Sequence, residues 1–175
     1  MIHRTSNKVI AGVCLALTFS AFAHAQTHVP DSTKKETTMT THARGPFEVK
    51  IGQLDAYNKD EGAGLARMSI DKQYHGDMEA TSKGEMLAAG SGGKGSSGGY
   101  VAIERVTGSL DGHSGSFVLQ HNATMTRGEP YLNIVVVPDS GTGAFAGLTG
   151  KMNIVIADGK HSYEFDYTLP NQSDR

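Results

Sequence analysis

The chain has 175 residues, a formal net charge of −2 and one cysteine, Cys14. No basic patch, and no run that mixes basic with aromatic residues, is available to neutralise a phosphate backbone, which excludes nucleic acid as a partner. With its only cysteine inside an apolar N-terminal run, the rest of the chain has no disulfide to hold it together and depends on its core.

Met1 to Ala25 has the layout of an export signal. Arg4 and Lys8 make a basic start, Val9 to Ala23 is apolar, and Ala23-His24-Ala25 is an A-x-A-like cleavage site. The apolar run is short for a bilayer span. Cleavage after Ala25, a periplasmic or secreted product and no stable membrane anchor are therefore expected, and the loss of Arg4 and Lys8 takes the net charge to −4. Residues 26–44 are polar, rich in threonine and lysine and without an apolar period, which reads as a disordered leader. The folded domain is expected over 45–170, with 171–175 as a C-terminal tail.

Phe47, Val49 and Ile51 alternate with Glu48 and Lys50, a first strand. Ala66, Met68 and Ile70 alternate with Arg67, Ser69 and Asp71, a second strand that can run on to Tyr74. Met78 to Leu87 is a third, with Ala80, Ser82 and Gly84 small on one face, where another backbone or a ligand can come close. Gly90 to Gly99 is glycine and serine around Lys94, and it contains G-x-G-x-x-G. A phosphate loop must open a helix, whereas a strand follows here, so a hairpin loop is the better reading.

Tyr100 to Leu110 and Ser116 to Met125 form a hairpin across Asp111-Gly112. A two-residue turn pairs Leu110 with His113 and gathers Tyr100, Ala102, Glu104 and Val106 on one face with Ala123, His121, Leu119 and Phe117. Val101, Ile103 and Val118 then lie on the other face. A loop one residue longer would reverse that parity. Tyr131 to Val137 is a continuous apolar strand ended by Pro138. The following Gly141, Gly143 and Ala146 match a dinucleotide fingerprint in letters only, because Lys151 to Ile156 has period two and supplies no helix. A short turn anchored by Phe145 and covering one end of the sheet fits better.

Thr149 to Leu169 reads as a complete hairpin. Asp158-Gly159 sits between two alternating runs, the sequence in which a type I′ turn is best tolerated. Ala157 then faces Lys160, so Met152, Ile154 and Ile156 share a face with Phe165, Tyr163 and His161. The other face sets Lys151 opposite Asp166 and Asn153 opposite Glu164. Of the 22 glycines, all but Gly12 lie between Gly45 and Gly159, which fits a twisted sheet with tight connections. About eight strands in meander order predict an all-β domain, an eight-stranded antiparallel up-and-down β-barrel, with a sandwich as the alternative. Eight strands leave an interior that side chains fill or that holds one small ligand.

The segments GDMEATSKGEML, GYVAIERVTGSLDGHSGSFVLQHNATM, VVVPDSGTGAFAGLTG and IADGKHSYEFDYTLP resemble the bacterial family called domain of unknown function 3224, over nearly all of Ala43 to Pro170. The resemblance implies a small calycin-like barrel, related to allene oxide cyclase and often oligomeric. It implies no reaction. Allene oxide cyclases hold a carboxylate and an asparagine-bound water in the barrel, and no segment here matches that motif.

The sharpest candidate for chemistry is Glu104 with His121, beside Tyr100 in the barrel mouth. A carboxylate next to an imidazole in an apolar cavity can exchange a proton near neutral pH. The competing reading is a satisfied polar pair that fixes register. Tyr163 and Tyr167 complete the expected ligand-binding set with Tyr100, Glu104 and His121, although such tyrosines are commonly core aromatics whose hydroxyls find partners. No metal site is expected, since no two of the histidines past the signal (His28, His42, His75, His113, His121 and His161) stand at ligand spacing. No cofactor is expected either. The function expected is binding of a small apolar or amphipathic molecule. The alternatives are an isomerase or cyclase of the allene oxide cyclase type, and a solid oligomer-forming module joined through outer faces such as Val101, Ile103 and Val118.

Overall fold

The structure, a computed structural model, describes residues 39–60, 64–90 and 95–170. The export signal, the greater part of the leader, Lys94 of the glycine-serine loop and the tail lie outside the described residues. Alternation of apolar and polar side chains gives strands throughout the rest. These are β1 (Thr41–Leu54), β2 (Leu65–Tyr74), β3 (Met78–Gly90), β4 (Gly98–Leu110), β5 (His113–Thr126), β6 (Glu129–Val136), β7 (Thr142–Gly143), β8 (Thr149–Ala157) and β9 (Lys160–Thr168).

Eight of them close into an antiparallel barrel. Each long strand pairs with the next in the chain, β6 pairs with β8, and β9 returns to β1, with Ala43 opposite Phe165. Closure leaves the sheet without a free long edge. The two-residue β7 attaches to β5 at Gly115 and Ser116. The barrel opens at Thr41 rather than after Arg44. Ala43 is buried against β9, so four residues assigned to the leader by their polarity are strand. Burial of one small side chain and main-chain pairing with β9 outweigh the polar composition.

Register follows from the turns. Asp158 and Gly159 have φ of 51° and 74°, and Asp111 and Gly112 have 48° and 78°, so both are the primed turns that match strand twist. Lys151 faces Asp166, and Glu104 faces Leu119. A third turn of the same kind at Arg127 and Gly128, with φ of 50° and 91°, joins β5 to β6.

The two ends of the barrel differ. At the end that holds the β2–β3 and β4–β5 turns, aromatic side chains fill the interior. Phe117 stacks on Phe165 at 5.7 Å and meets Phe145 edge-on at 5.5 Å, while Tyr74 meets Tyr163 edge-on at 5.5 Å. Phe145 and Leu148, in the connection between β6 and β8, close this end from outside the ring of strands. Toward the other end the apolar face thins. Met152 is buried, Ile154 is half-buried and Ile156 is 64% exposed, because the β8–β9 hairpin stops short while β1 runs on beside β2. The same face continues, but no described residue covers Ile156 as the core covers Met152.

Candidate functional site

Across the middle of the barrel lies a belt of buried polar side chains. Glu104 on β4 is fully buried and His121 on β5 is 2% exposed. Lys72 on β2 and Ser82 on β3 join them, both buried. The alternation that turns Ala66, Met68 and Ile70 inward also turns Lys72 and Tyr74 inward, and the β3 residue opposite Glu104 is Gly84. A Cβ at Gly84 would stand 2.6 Å from the Glu104 Cβ and 2.4 Å from the Ile103 carbonyl. Only glycine lets β3 and β4 pack this closely around the carboxylate.

Four donors converge on that carboxylate. Oε1 accepts from Lys72 Nζ at 2.9 Å, from the Tyr74 hydroxyl at 2.8 Å and from His121 Nε2 at 3.3 Å, and Oε2 accepts from Ser82 Oγ at 3.1 Å. Lys72 also donates to the Tyr74 oxygen at 3.2 Å and rests 5.3 Å from the centre of the Phe47 ring, a cation–π contact. Among the described residues no buried side-chain nitrogen or oxygen lacks a hydrogen-bond partner. Burial alone would raise the Glu104 pKa. The His121 hydrogen bond, the charges of Lys72 and the imidazole, and the Lys72 hydrogen bond together outweigh burial and hold it at about 2. The Tyr74 hydroxyl is pushed well up, first by burial and then by the Glu104 charge.

A carboxylate held so low and bonded on both oxygens is a weak base at neutral pH. The arrangement locks strands β2, β3, β4 and β5 to one another. It also fixes the His121 ring 6.5 Å, centre to centre, from the ring of Tyr100.

Tyr100 belongs to a cavity of about 510 Å³ on the open side of the belt. Its walls come from β2, β3, β4, β5 and β6. Ala66, Ala88 and Ala123 are too small to reach the axis, and Met68 and Met86, paired across β2 and β3, supply the bulkier surface. Gly90, Gly98, Met125 and Tyr131 form the rim. The Tyr100 pKa is raised by burial and, after that, by the Glu104 charge, so it carries its proton at neutral pH.

The sequence-predicted site residues therefore divide. Tyr100, Glu104 and His121 come together as a stack, with Tyr100 facing the cavity and the other two beneath it. Tyr163 and Tyr167 stand at the opposite, filled end and do not line the cavity. There the Tyr163 hydroxyl accepts from the Met78 N–H at 2.8 Å and donates to the His75 carbonyl at 3.1 Å, and the Tyr167 hydroxyl donates to Asp111. Burial raises the Tyr163 pKa to about 12, against the lowering effect of the Met78 N–H and with help from nearby acidic residues. Both tyrosines act as clips between strand ends.

Lys72, Tyr74 and Ser82 were not identified as site residues from the sequence. Their signal was present in strand parity, since an inward Lys at the end of an apolar face has to find an anion. Among the described residues no group of three or more histidine, cysteine or acidic side chains is arranged to hold a metal ion.

The family model for "Protein of unknown function (DUF3224)" matches residues 43–167. The chain belongs to the DUF3224 family. A solved structure of a DUF3224 protein of unknown function from Shewanella oneidensis MR-1 is 47% identical and superimposes with a TM-score of 0.71, covering 75% of this chain and 98% of that one. No curated protein matches the chain. As a DUF3224 protein it is a β-barrel whose family name carries no activity.

Proposed function

We propose that this DUF3224 protein binds a small apolar or amphipathic molecule in the open end of its barrel. The observation that carries the reading is the cavity of about 510 Å³, which falls within the ordinary size of ligand pockets and is lined mainly by alanine, glycine, methionine and tyrosine. A domain that needed only stability would fill this end as it fills the other. The belt of Glu104, Lys72 and His121 serves as a rigid floor. An isomerase or cyclase would need a base with access to its substrate, and the Glu104 oxygens are fully buried with four donors on them. Passive binding is therefore the stronger reading. Export rests on the pattern of Met1 to Ala25, and binding of an apolar compound outside the cytoplasm is consistent with it.

Native mass spectrometry of the purified protein tests the proposal, with Ala88→Leu as the comparison because its added methyl groups occupy the cavity. The unmodified protein should carry or take up an apolar compound that the variant does not. A protein that holds none and takes up no apolar dye would overturn it.

A further inference from the structure

The lining of the cavity also constrains the kind of molecule that fits. Among the described residues, no side chain lining it is acidic, basic or histidine, and the inward-facing polar group of its strands is the Tyr100 hydroxyl, with Ser96, Ser97 and main-chain groups at the rim. An ion taken into such a space leaves water and gains no counter-charge. The belt beneath does not supply one, because the Lys72 ammonium is already committed to Glu104 at 2.9 Å and to Tyr74 at 3.2 Å.

We propose that the cavity selects electrically neutral, largely apolar molecules, aromatic ones foremost, with at most a hydroxyl or carbonyl oxygen for Tyr100, and discriminates against carboxylates and amines. This rests on the binding reading above and narrows it. Three features favour an aromatic body. Met68, Met86 and Met125 present flexible, polarisable thioethers, which make favourable contacts with ring edges and adapt to different outlines. Tyr100 adds one ring to the inner wall, above His121. The alanine and glycine positions leave flat wall between them. A protonated Tyr100 hydroxyl offers one hydrogen bond to a neutral oxygen, whereas the Glu104 and Lys72 charges behind it cancel at 2.9 Å and leave no net charge to hold an ion of either sign.

The test is a matched set of naphthalene probes titrated into the purified protein at neutral pH by calorimetry: naphthalene, 2-naphthol, 2-naphthoate and 2-naphthylmethylamine. 2-Naphthol should bind at least about tenfold tighter than either charged probe, the scale expected for burying an unpaired ion. Tyr100→Phe should abolish the advantage of 2-naphthol over naphthalene, the ratio of the two affinities being what is read. Ala123→Leu, checked for folding by its melting temperature, should weaken all binding. Naphthoate or the amine binding as tightly as 2-naphthol would overturn the neutral-ligand inference and leave the binding reading standing. Failure of every probe to bind would overturn both, and binding unaffected by Ala123→Leu would place the site elsewhere and overturn the inference.

Discussion

The two ends of this barrel are built on the same eight strands with the same alternation, yet one is solid and the other hollow. At the filled end the inward positions are Phe47, Tyr74, Phe117, Phe165, Tyr163 and Tyr167, and at the open end they are Ala66, Met68, Met86, Ala88, Tyr100 and Ala123. Side-chain volume adds to the short β8–β9 hairpin at the open end and the Phe145–Leu148 cover at the other in making the difference. Hydrogen bonding of the strands fixes the radius, so alanine on facing strands leaves space that tyrosine and phenylalanine would fill. Between them, the belt around Glu104 joins a region that supplies stability to one that is free to bind.

The comparison can be broken first by truncation. Phe117→Ala should cost about 3–5 kcal/mol, because its ring is packed on Phe145 and Phe165 and the cavity it leaves cannot collapse. Met86→Ala at the hollow end should cost less than about 1.5 kcal/mol, since part of its surface already faces open space. Urea denaturation of both variants measures the contrast, and equal losses would mean that the two ends are equally packed.

The belt is tested by a double-mutant cycle. Glu104→Leu alone leaves the Lys72 ammonium buried without its anion and should cost about 3–5 kcal/mol. Lys72→Met together with Glu104→Leu removes both charges and should recover most of that loss. No recovery in the double variant would show that Tyr74, Ser82 and His121 depend on the carboxylate more than Lys72 does.

Acid sharpens the same point with a smaller effect. The Glu104 pKa is lowered on folding from 4.5 to about 2. The carboxylate therefore binds its proton more readily in the unfolded chain, and its contribution is fully present above about pH 4.5 and is lost as pH falls toward about 2. Melting temperatures across that range should fall for the natural protein by an amount that corresponds to a few kcal/mol, and fall less for the charge-free double variant. Parallel acid profiles would contradict the role given to Glu104. The smallest effect belongs to the clips: Tyr167→Phe removes the hydroxyl bonded to Asp111 and should cost about 1 kcal/mol. Its influence on ligand binding should be nil, since it lies at the filled end.

Strand parity and the two Asp-Gly turns account for most of what could be read without coordinates, and the Arg127-Gly128 turn came only with the structure. Two Asp-Gly pairs were enough to set Lys151 against Asp166 and Glu104 against Leu119, because a two-residue turn leaves no freedom in register. The pairing of Glu104 with His121 and Tyr100 followed from that register. The place of Tyr163 and Tyr167 did not. A strand's face tells which way a side chain points, but not at what height along the barrel it stands relative to strands far away in sequence. That height depends on the stagger accumulated around the closed ring.

The amino-acid sequence by itself determined the strands, their turns, the oily face of each and the all-β class, because these depend on neighbours within about twenty residues. Only the tertiary structure decided that Lys72 reaches Glu104 from a strand two places away, that β1 begins at Thr41, and that alanines from three strands meet around one void. The physical reason is that counter-charge and empty volume are properties of side chains brought together by closure of the sheet, and no short stretch of chain holds the information on either one alone.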